Sequence, residues 1–404
     1  MRKLILFLTI TFIIISCKKE KRLIEKIEFG TKYKFSSEIE REAFFSKDYQ
    51  RSGTDFALKG DYKNALIHWD LGKEVIETSL SKEQIDSINI KYIKVKALDY
   101  VIEKAKKNHI VIINEAHHNS LHRVFTKSLL KDLYHIGYTN LGIEALTSND
   151  SLNSALNNRK YPIQTTGYYT KDPQFGNLIR TALEIGYTLF PYETTNYSDD
   201  SDELREIEQA ESIQKVIESK PNEKFLIYCG YGHALEGTHR FLGKTMAGRL
   251  TEFTGINPLT IDQTLFDFNK ESKPEFNSLL EALQIKESSV LIEKDNNPLR
   301  YEENDTWIDI AVFHPNTEYI DDRPNWLFEN GNKNVSILLT DIQIEFPVMV
   351  LAYKKGEDIN IAIPIDIKEV ERKTENCNLG LSIGTYEIVV TNGKETVKFE
   401  QTVQ

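Results

Sequence analysis

His109-Ile110-Val111-Ile112-Ile113-Asn114 (HIVIIN) is a short unbroken apolar run, and Glu115-Ala116-His117-His118 follows it directly. Apolar side chains at every position, rather than at alternate ones, suit a strand buried on both faces. Such strands belong to parallel sheets covered by helices. Outward from it, 119–137 predicts a helix that Asn119 or Ser120 can cap and Gly137 can stop. Further strands are predicted at 140–146 (NLGIEAL), 186–193 (GYTLFPYE) and 224–230 (KFLIYCG), with candidates at 257–264, 289–293 and 308–314. Helices near 175–185, over 199–220 and over 244–254 lie between them. This alternation predicts an α/β domain over 108–330, with a mostly parallel sheet and helices on both faces.

The flanks read differently. Residues 36–107 look helical, and 56–66 (FALKGDYKNAL) resembles one tetratricopeptide unit. A single unit cannot stack into a solenoid. A helical hairpin packed on the main domain is expected there, with a protein or peptide partner as the alternative. Beyond 331 the chain is strand-like at 335–346, 348–353, 359–367 and 384–402, with turn signals at Lys355-Gly356 and Asn392-Gly393. That predicts a small antiparallel β-sandwich over 331–404. Residues 18–35 are charged and without period, and read as a tether.

The N-terminus carries an address. Arg2 and Lys3 precede a stretch, 4–15, that is apolar except for Thr9 and Thr11 and is short for a bilayer span. Ile14-Ile15-Ser16-Cys17 resembles a bacterial lipobox. The resemblance implies that 1–17 is a lipoprotein signal peptide with Cys17 as the lipidated residue. The chain would then sit in the bacterial cell envelope, facing periplasm or surface, on a membrane anchor without a spanning helix. Lys18, rather than Asp, follows Cys17, which by analogy favours the outer membrane.

Composition narrows the partners. The 404 residues include 50 basic and 61 acidic ones, a net charge of −11. This argues against a nucleic-acid partner, which needs a basic face, and leaves small-molecule and peptide substrates open. Three cysteines make neither a disulfide framework nor a four-cysteine zinc site. Cys229 reads as core, and a bridge from it to Cys377 would have to join two domains. The acidic stretch 199–208 reads as a solvated helix start.

Strand ends of a parallel sheet are where ligands bind, and several here carry ionisable groups. The first leads into Glu115, His117 and His118, with His122 and Arg123 in the helical turn that follows. The second carries Glu144, the third ends on Tyr192-Glu193, and the fourth on Gly230-Tyr231-Gly232-His233. A carboxylate inside a buried strand needs a metal, a His or an Arg beside it. Carboxylates and imidazoles converging on one crevice suit metal binding or general acid–base work. Catalytic candidates are Glu115, His117, His118 and His233. The metal candidates are Glu115, His117, Glu144 and His233, and the ligand-binding candidates His122, Arg123, Glu193 and Tyr231. His314 also ends a strand candidate and could reach the crevice.

Residues 112–123 (IINEAHHNSLHR) resemble the G-E-x-H-x-N-x-x-H opening of the ChaN-like, Tiki/TraB and erythromycin-esterase grouping. Residues 141–146 (LGIEAL) resemble its second motif, and Gly230-Tyr231-Gly232-His233 its late G-x-G-H motif. The resemblance covers about 109–330. It implies Glu115, a His of the 117–118 pair, Glu144 and His233 as site residues. Asn114 stands where the grouping has Gly. An E-x-x-H spacing selects His118, while E-x-H selects His117. The grouping spans haem-binding lipoproteins, metal-dependent peptidases and metal-free esterases, so fold alone does not settle the reaction. The first expectation is a hydrolase of an ester or amide bond, with or without a divalent Mn, Fe or Zn ion. Alternatives are a haem- or iron-binding lipoprotein, with Tyr192, Tyr231 or His122 as axial ligand, and an interaction scaffold with a relic site.

Overall fold

In the computed structural model of the chain the described residues are 22–72, 81–193, 202–240, 243–264, 280 and 282–404. Cys17 and the 1–17 address lie outside them. No helix among the described residues is long and apolar enough to cross a membrane.

The centre is a six-stranded parallel sheet. Its strands are β1 (Ile110–Glu115), β2 (Tyr138–Ile143), β3 (Thr188–Pro191), β4 (Lys224–Gly230), β5 (Leu259–Asp262) and β6 (Ile310–Ala311). Their spatial order is β6-β5-β1-β4-β2-β3, every pair parallel. The apolar run works as its composition requires. Val111 and Ile113 face one side, packing with α1 (Leu121–His135) and α2 (Pro173–Ile185) through Leu129, Leu130, Phe175 and Ile179. Ile110 and Ile112 face the other, where α3 (Asp202–Ser219) and α4 (Met246–Thr254) bring Ile213, Met246 and Leu250. Side chains alternate along a strand, so both faces are fed by one sequence.

Several predicted elements differ, among them 335–346 and 359–367, where strands form only over Lys333–Ser336 and Asp366–Val370. Residues 289–293 stand outside the central sheet, as an antiparallel pair with Tyr92–Lys96. Tyr92–Lys96 therefore interrupts the helical 36–107 region as a strand; its alternation (YIKVK) has period two, and its partner lies far along the chain. The described part of the supposed tether is packed rather than free. Glu25–Lys26 adds a strand to the terminal sheet, and Tyr33 is buried with its hydroxyl donating to the Lys171 carbonyl at 3.1 Å.

Before the sheet, helices Ser36–Ser46, Tyr49–Leu58 and Tyr62–Asp70 pack together, the last two joined by a turn at Gly60, whose φ of +77° is a glycine conformation. After the sheet, five antiparallel strands in the order Glu25–Lys26, Thr396–Val403, Gly384–Thr391, Val348–Lys354, Asp366–Val370 face the pair Lys333–Ser336 and Asn378–Leu381. Val348, Val350, Leu379, Ile388 and Phe399 fill the layer between. The opposite face, with Leu351 and Tyr353, packs on Tyr33 and Ala362.

Candidate active site

Parity along β1 decides where Glu115 points. It continues the Val111–Ile113 face, towards α1 and α2, and is buried there. Arg123, on the first turns of α1, donates from Nε to Glu115 Oε2 at 2.6 Å and from Nη2 to Oε1 at 2.8 Å. Tyr228, on the same face of β4, donates to Oε2 at 2.8 Å. Arg123 Nη1 reaches Asp172 Oδ2 at 2.6 Å. Asp172 caps α2 ahead of Pro173 and accepts the backbone N–H of Gln174 and Phe175. Burial alone would raise the Glu115 carboxyl, but Arg123 and the His117 contact outweigh it and bring it to about 2. Asp172 receives one guanidinium donor rather than two, and burial leaves it above the usual carboxylate value. Glu115 is thus a permanent anion, and Arg123 is its counterion rather than a ligand-binding group.

His117 is the next step outward. Its Nδ1 lies 3.0 Å from Glu115 Oε1 and its ring stacks on Tyr169 at 3.7 Å. A carboxylate as acceptor places the proton on Nδ1 and leaves the Nε2 lone pair outward. That edge faces Gly230, where an added Cβ would come within 2.8 Å of Nε2. Glycine at 230 therefore lets the imidazole lie against the end of β4.

Glu144 is one residue past β2 and takes the opposite face from Ile143. Its Oε2 accepts the Gly230 N–H at 2.6 Å, and its Oε1 accepts from Arg205 Nη2 of α3 at 2.8 Å. Arg205 also clamps Glu193 through Nε, at 3.1 and 3.2 Å, and Gln209 donates to Glu193 at 3.2 Å. His233 sits between two carboxylates, with Nε2 3.6 Å from Glu144 and Nδ1 2.6 Å from Glu206. Burial pulls this imidazole down, but Glu144 and Glu206 outweigh it and hold His233 above its ordinary value. Glu206 is itself buried and accepts the Met246 N–H at the start of α4.

These groups meet at a cavity of about 760 Å³ over the carboxyl ends of β1, β2, β3 and β4, lined by His117, Glu144, Glu193, Arg205, Tyr231 and His233, with Tyr168 and Tyr169 as an aromatic wall. Glu115 stands behind His117. Three candidates fall elsewhere. His118 turns away from the cavity, stacks on Trp69 of the N-terminal helices at 3.8 Å and lies 3.3 Å from the Tyr231 hydroxyl. Of the 117–118 pair, His117 is the one that lines the cavity. His122 is fully buried, and its Nδ1 accepts the Ala116 N–H at 3.0 Å, which holds the strand-to-helix turn. Arg123 is also fully buried. Asn114, in place of the grouping's Gly, ties three segments: its amide donates to Asp262 at 2.8 Å and to the Tyr231 carbonyl at 2.9 Å, and it accepts the Gln263 N–H at 2.7 Å. Tyr231, at φ +37°, is held in the left-handed region there.

Sequence reasoning missed Arg205, Glu206, Asp172 and Tyr169. The 199–208 stretch is not simply a solvated helix start, because Glu206 is buried and Arg205 joins Glu144 to Glu193. Asp172-Pro173 was a readable capping signal for α2, but nothing local in it says that Arg123 is its partner.

The four metal candidates do not fit a metal as placed. Glu115 is saturated by Arg123 and Tyr228, Glu144 by Arg205 and Gly230, and a cation between them would lie beside two guanidinium groups. Among the described residues no three His, Cys, Asp or Glu side chains are grouped to hold an ion. A haem fares no better. Of its axial candidates only Tyr231 lines the cavity, while Tyr192 donates inward to the Tyr228 carbonyl at 2.9 Å. Cys229 and Cys377 are both free and buried, so no bridge joins them. Burial pushes both thiols up, which removes them as nucleophiles.

No family model matches the chain, and no curated protein matches it in sequence. Among solved structures it is similar to the type III effector HopBA1, at 13% identity and a TM-score of 0.36, over 57% of this chain and 98% of that one. RRSP, a MARTX toxin effector domain from Vibrio vulnificus, matches at 16% and 0.29, over 50% and 43%. The C-terminal region of Pasteurella multocida toxin, described as having a thiol-protease-like catalytic triad, matches at 10% and 0.30, over 87% and 50%. The chain thus spans half or less of the last two.

Proposed function

We propose that the protein is a hydrolase of an ester or amide bond that works by general acid–base catalysis from protein side chains. One observation carries this reading: Glu115, ionised by Arg123, holds His117 through Nδ1, and His117 lines the same cavity as His233. His117 is the general base, taking a proton from water as it attacks the carbonyl carbon. His233, kept protonated by Glu144 and Glu206, donates to the departing oxygen or nitrogen. Two titratable groups whose surroundings assign them opposite roles are the pattern such catalysis needs. The motifs at 112–123, 141–146 and 230–233 support placing the chain in the ChaN-like, Tiki/TraB and erythromycin-esterase grouping, on its metal-free side. The lipobox-like 14–17 adds a location at the cell envelope.

The test is a panel of chromogenic esters and amides, offered to the full-length chain with and without a chelator. His117→Ala should lower kcat/KM by about 10²–10⁴-fold with little loss of melting temperature. The rate should fall as pH rises through the elevated His233 value, where the acid is lost. Activity should pellet with membranes and move to the soluble fraction in Cys17→Ser. Full turnover in His117→Ala, or complete loss on chelation, would sink the reading.

A further inference from the structure

A Ser–His pair stands apart from the crevice. Ser288 Oγ lies 2.8 Å from His314 Nδ1, and His314 Nε2 lies 3.1 Å from Gln263 Oε1. The proton positions follow from the neighbours. The Gln263 amide nitrogen donates to the Asn114 carbonyl at 2.8 Å and to Thr126 Oγ1 at 3.3 Å, so its oxygen is the acceptor that faces His314. His314 therefore carries its proton on Nε2, and Nδ1 is the acceptor for the Ser288 O–H. The ring is buried, edge-on to Phe125 at 5.2 Å and stacked near His122 at 5.4 Å, which limits its rotation. Backbone pairing holds the serine: the Ser288 carbonyl accepts from Ala97 and the Ser289 N–H donates to Phe313, each at 2.9 Å.

Ser288 is half-buried and opens on a cavity of about 790 Å³. Leu121, Val124, Phe125, Ile285 and Trp326 give it an apolar wall, and Asn316 and Asn325 bring amide groups to it. We infer that Ser288, His314 and Gln263 form a second, serine-nucleophile site for esters with an apolar acyl chain. Ser288 Oγ bonds to the acyl carbon as its proton passes to His314 Nδ1. The ester C–O bond breaks, and the leaving alkoxide takes that proton. Water then repeats the exchange, releasing the carboxylic acid and restoring the serine. Side-chain amides at such a cavity are groups of the kind that stabilise an oxyanion. Gln263 fixes the tautomer as a triad carboxylate does but adds no negative charge, so the acyl-enzyme forms and turns over slowly.

The experiment labels the full-length chain with a fluorophosphonate. The Ser288 Oγ–P bond would form, P–F would break, and fluoride would leave as the serine proton moves to His314. Peptide mass mapping should place one adduct on Ser288, absent in Ser288→Ala. His314→Gln should slow labelling at Ser288 by about 10²-fold or more, with its melting temperature checked beside it. A wild-type chain unlabelled at Ser288, or labelling at equal rate in His314→Gln, would overturn the inference. Because the readout is a mapped adduct, it stands or falls independently of the His117 crevice.

Discussion

Arg123 shows how one side chain sets the charge of a site it does not line. It is fully buried and spends its donors on Glu115, Asp172 and the His117 carbonyl. Removing one partner of a buried ion pair costs about 3–5 kcal/mol because the remaining charge is left without compensation. Arg123→Met should therefore lower stability by about that amount, measured by urea melts. The pH dependence separates this from lost packing. In the native chain Glu115 is depressed to about 2, so its contribution is present above the ordinary carboxylate value and fades as pH falls towards 2. In the variant, burial alone raises the carboxyl, so stability should drop as pH rises from mildly acidic to neutral. A variant equally destabilised at both would remove Glu115 ionisation from the account.

At the scale of elements, the end of β4 is where Gly230 lies close to both His117 and Glu144. Strand parity sends Glu115 to the α1 and α2 face and Glu144 to the α3 face, and only a chain without a Cβ at 230 lets His117 lie against the end of β4. In Gly230→Ala the new methyl would fall 2.5 Å from His117 Cε1, closer than carbon atoms approach, and the ring would have to leave Glu115 or Tyr169. Misplacement by about 1 Å costs roughly 10²-fold, so kcat/KM should fall by about that factor while the melting temperature changes little. Unchanged kinetics would show that the ring's place against β4 does not matter. Element by element, much was legible. The central strands announce themselves by continuous apolar runs, and the glycine-flanked Tyr231 turn by its spacing. Tyr92–Lys96 was hidden in a helical region because five alternating residues are too few to outweigh the helical pattern on either side, and its partner at 289–293 is supplied by distant chain.

Across the molecule, the three regions are joined by buried charge as well as by apolar contact. Arg323 donates to the Gly60 carbonyl of the N-terminal helices at 2.7 Å, to the Ile367 carbonyl at 3.1 Å and to Asp366 of the terminal sheet at 2.5 Å. Asp366 is fully buried and also accepts the Gly380 N–H at 2.8 Å. Lys59 and Glu369 form a second buried pair across the same seam. Arg323→Met should destabilise by about 3–5 kcal/mol and loosen this seam first. Calorimetry is expected to show one transition becoming two, the terminal sandwich melting ahead of the α/β domain. A single transition at the original temperature would mean the regions are held by apolar packing alone.

The sequence by itself determined the parallel sheet, the edge of it that carries the ionisable residues, and the faces that Glu115 and Glu144 take. These follow from side-chain periodicity, which is a property of consecutive residues. Tertiary structure alone decided that Arg123 and Arg205 saturate those carboxylates, that His117 faces the cavity while His118 lies against Trp69, and that Ser288 meets His314. Each of these depends on a partner from another segment, and in a low-dielectric interior the identity of that partner determines whether a carboxylate binds a cation, orients a base or holds an acid.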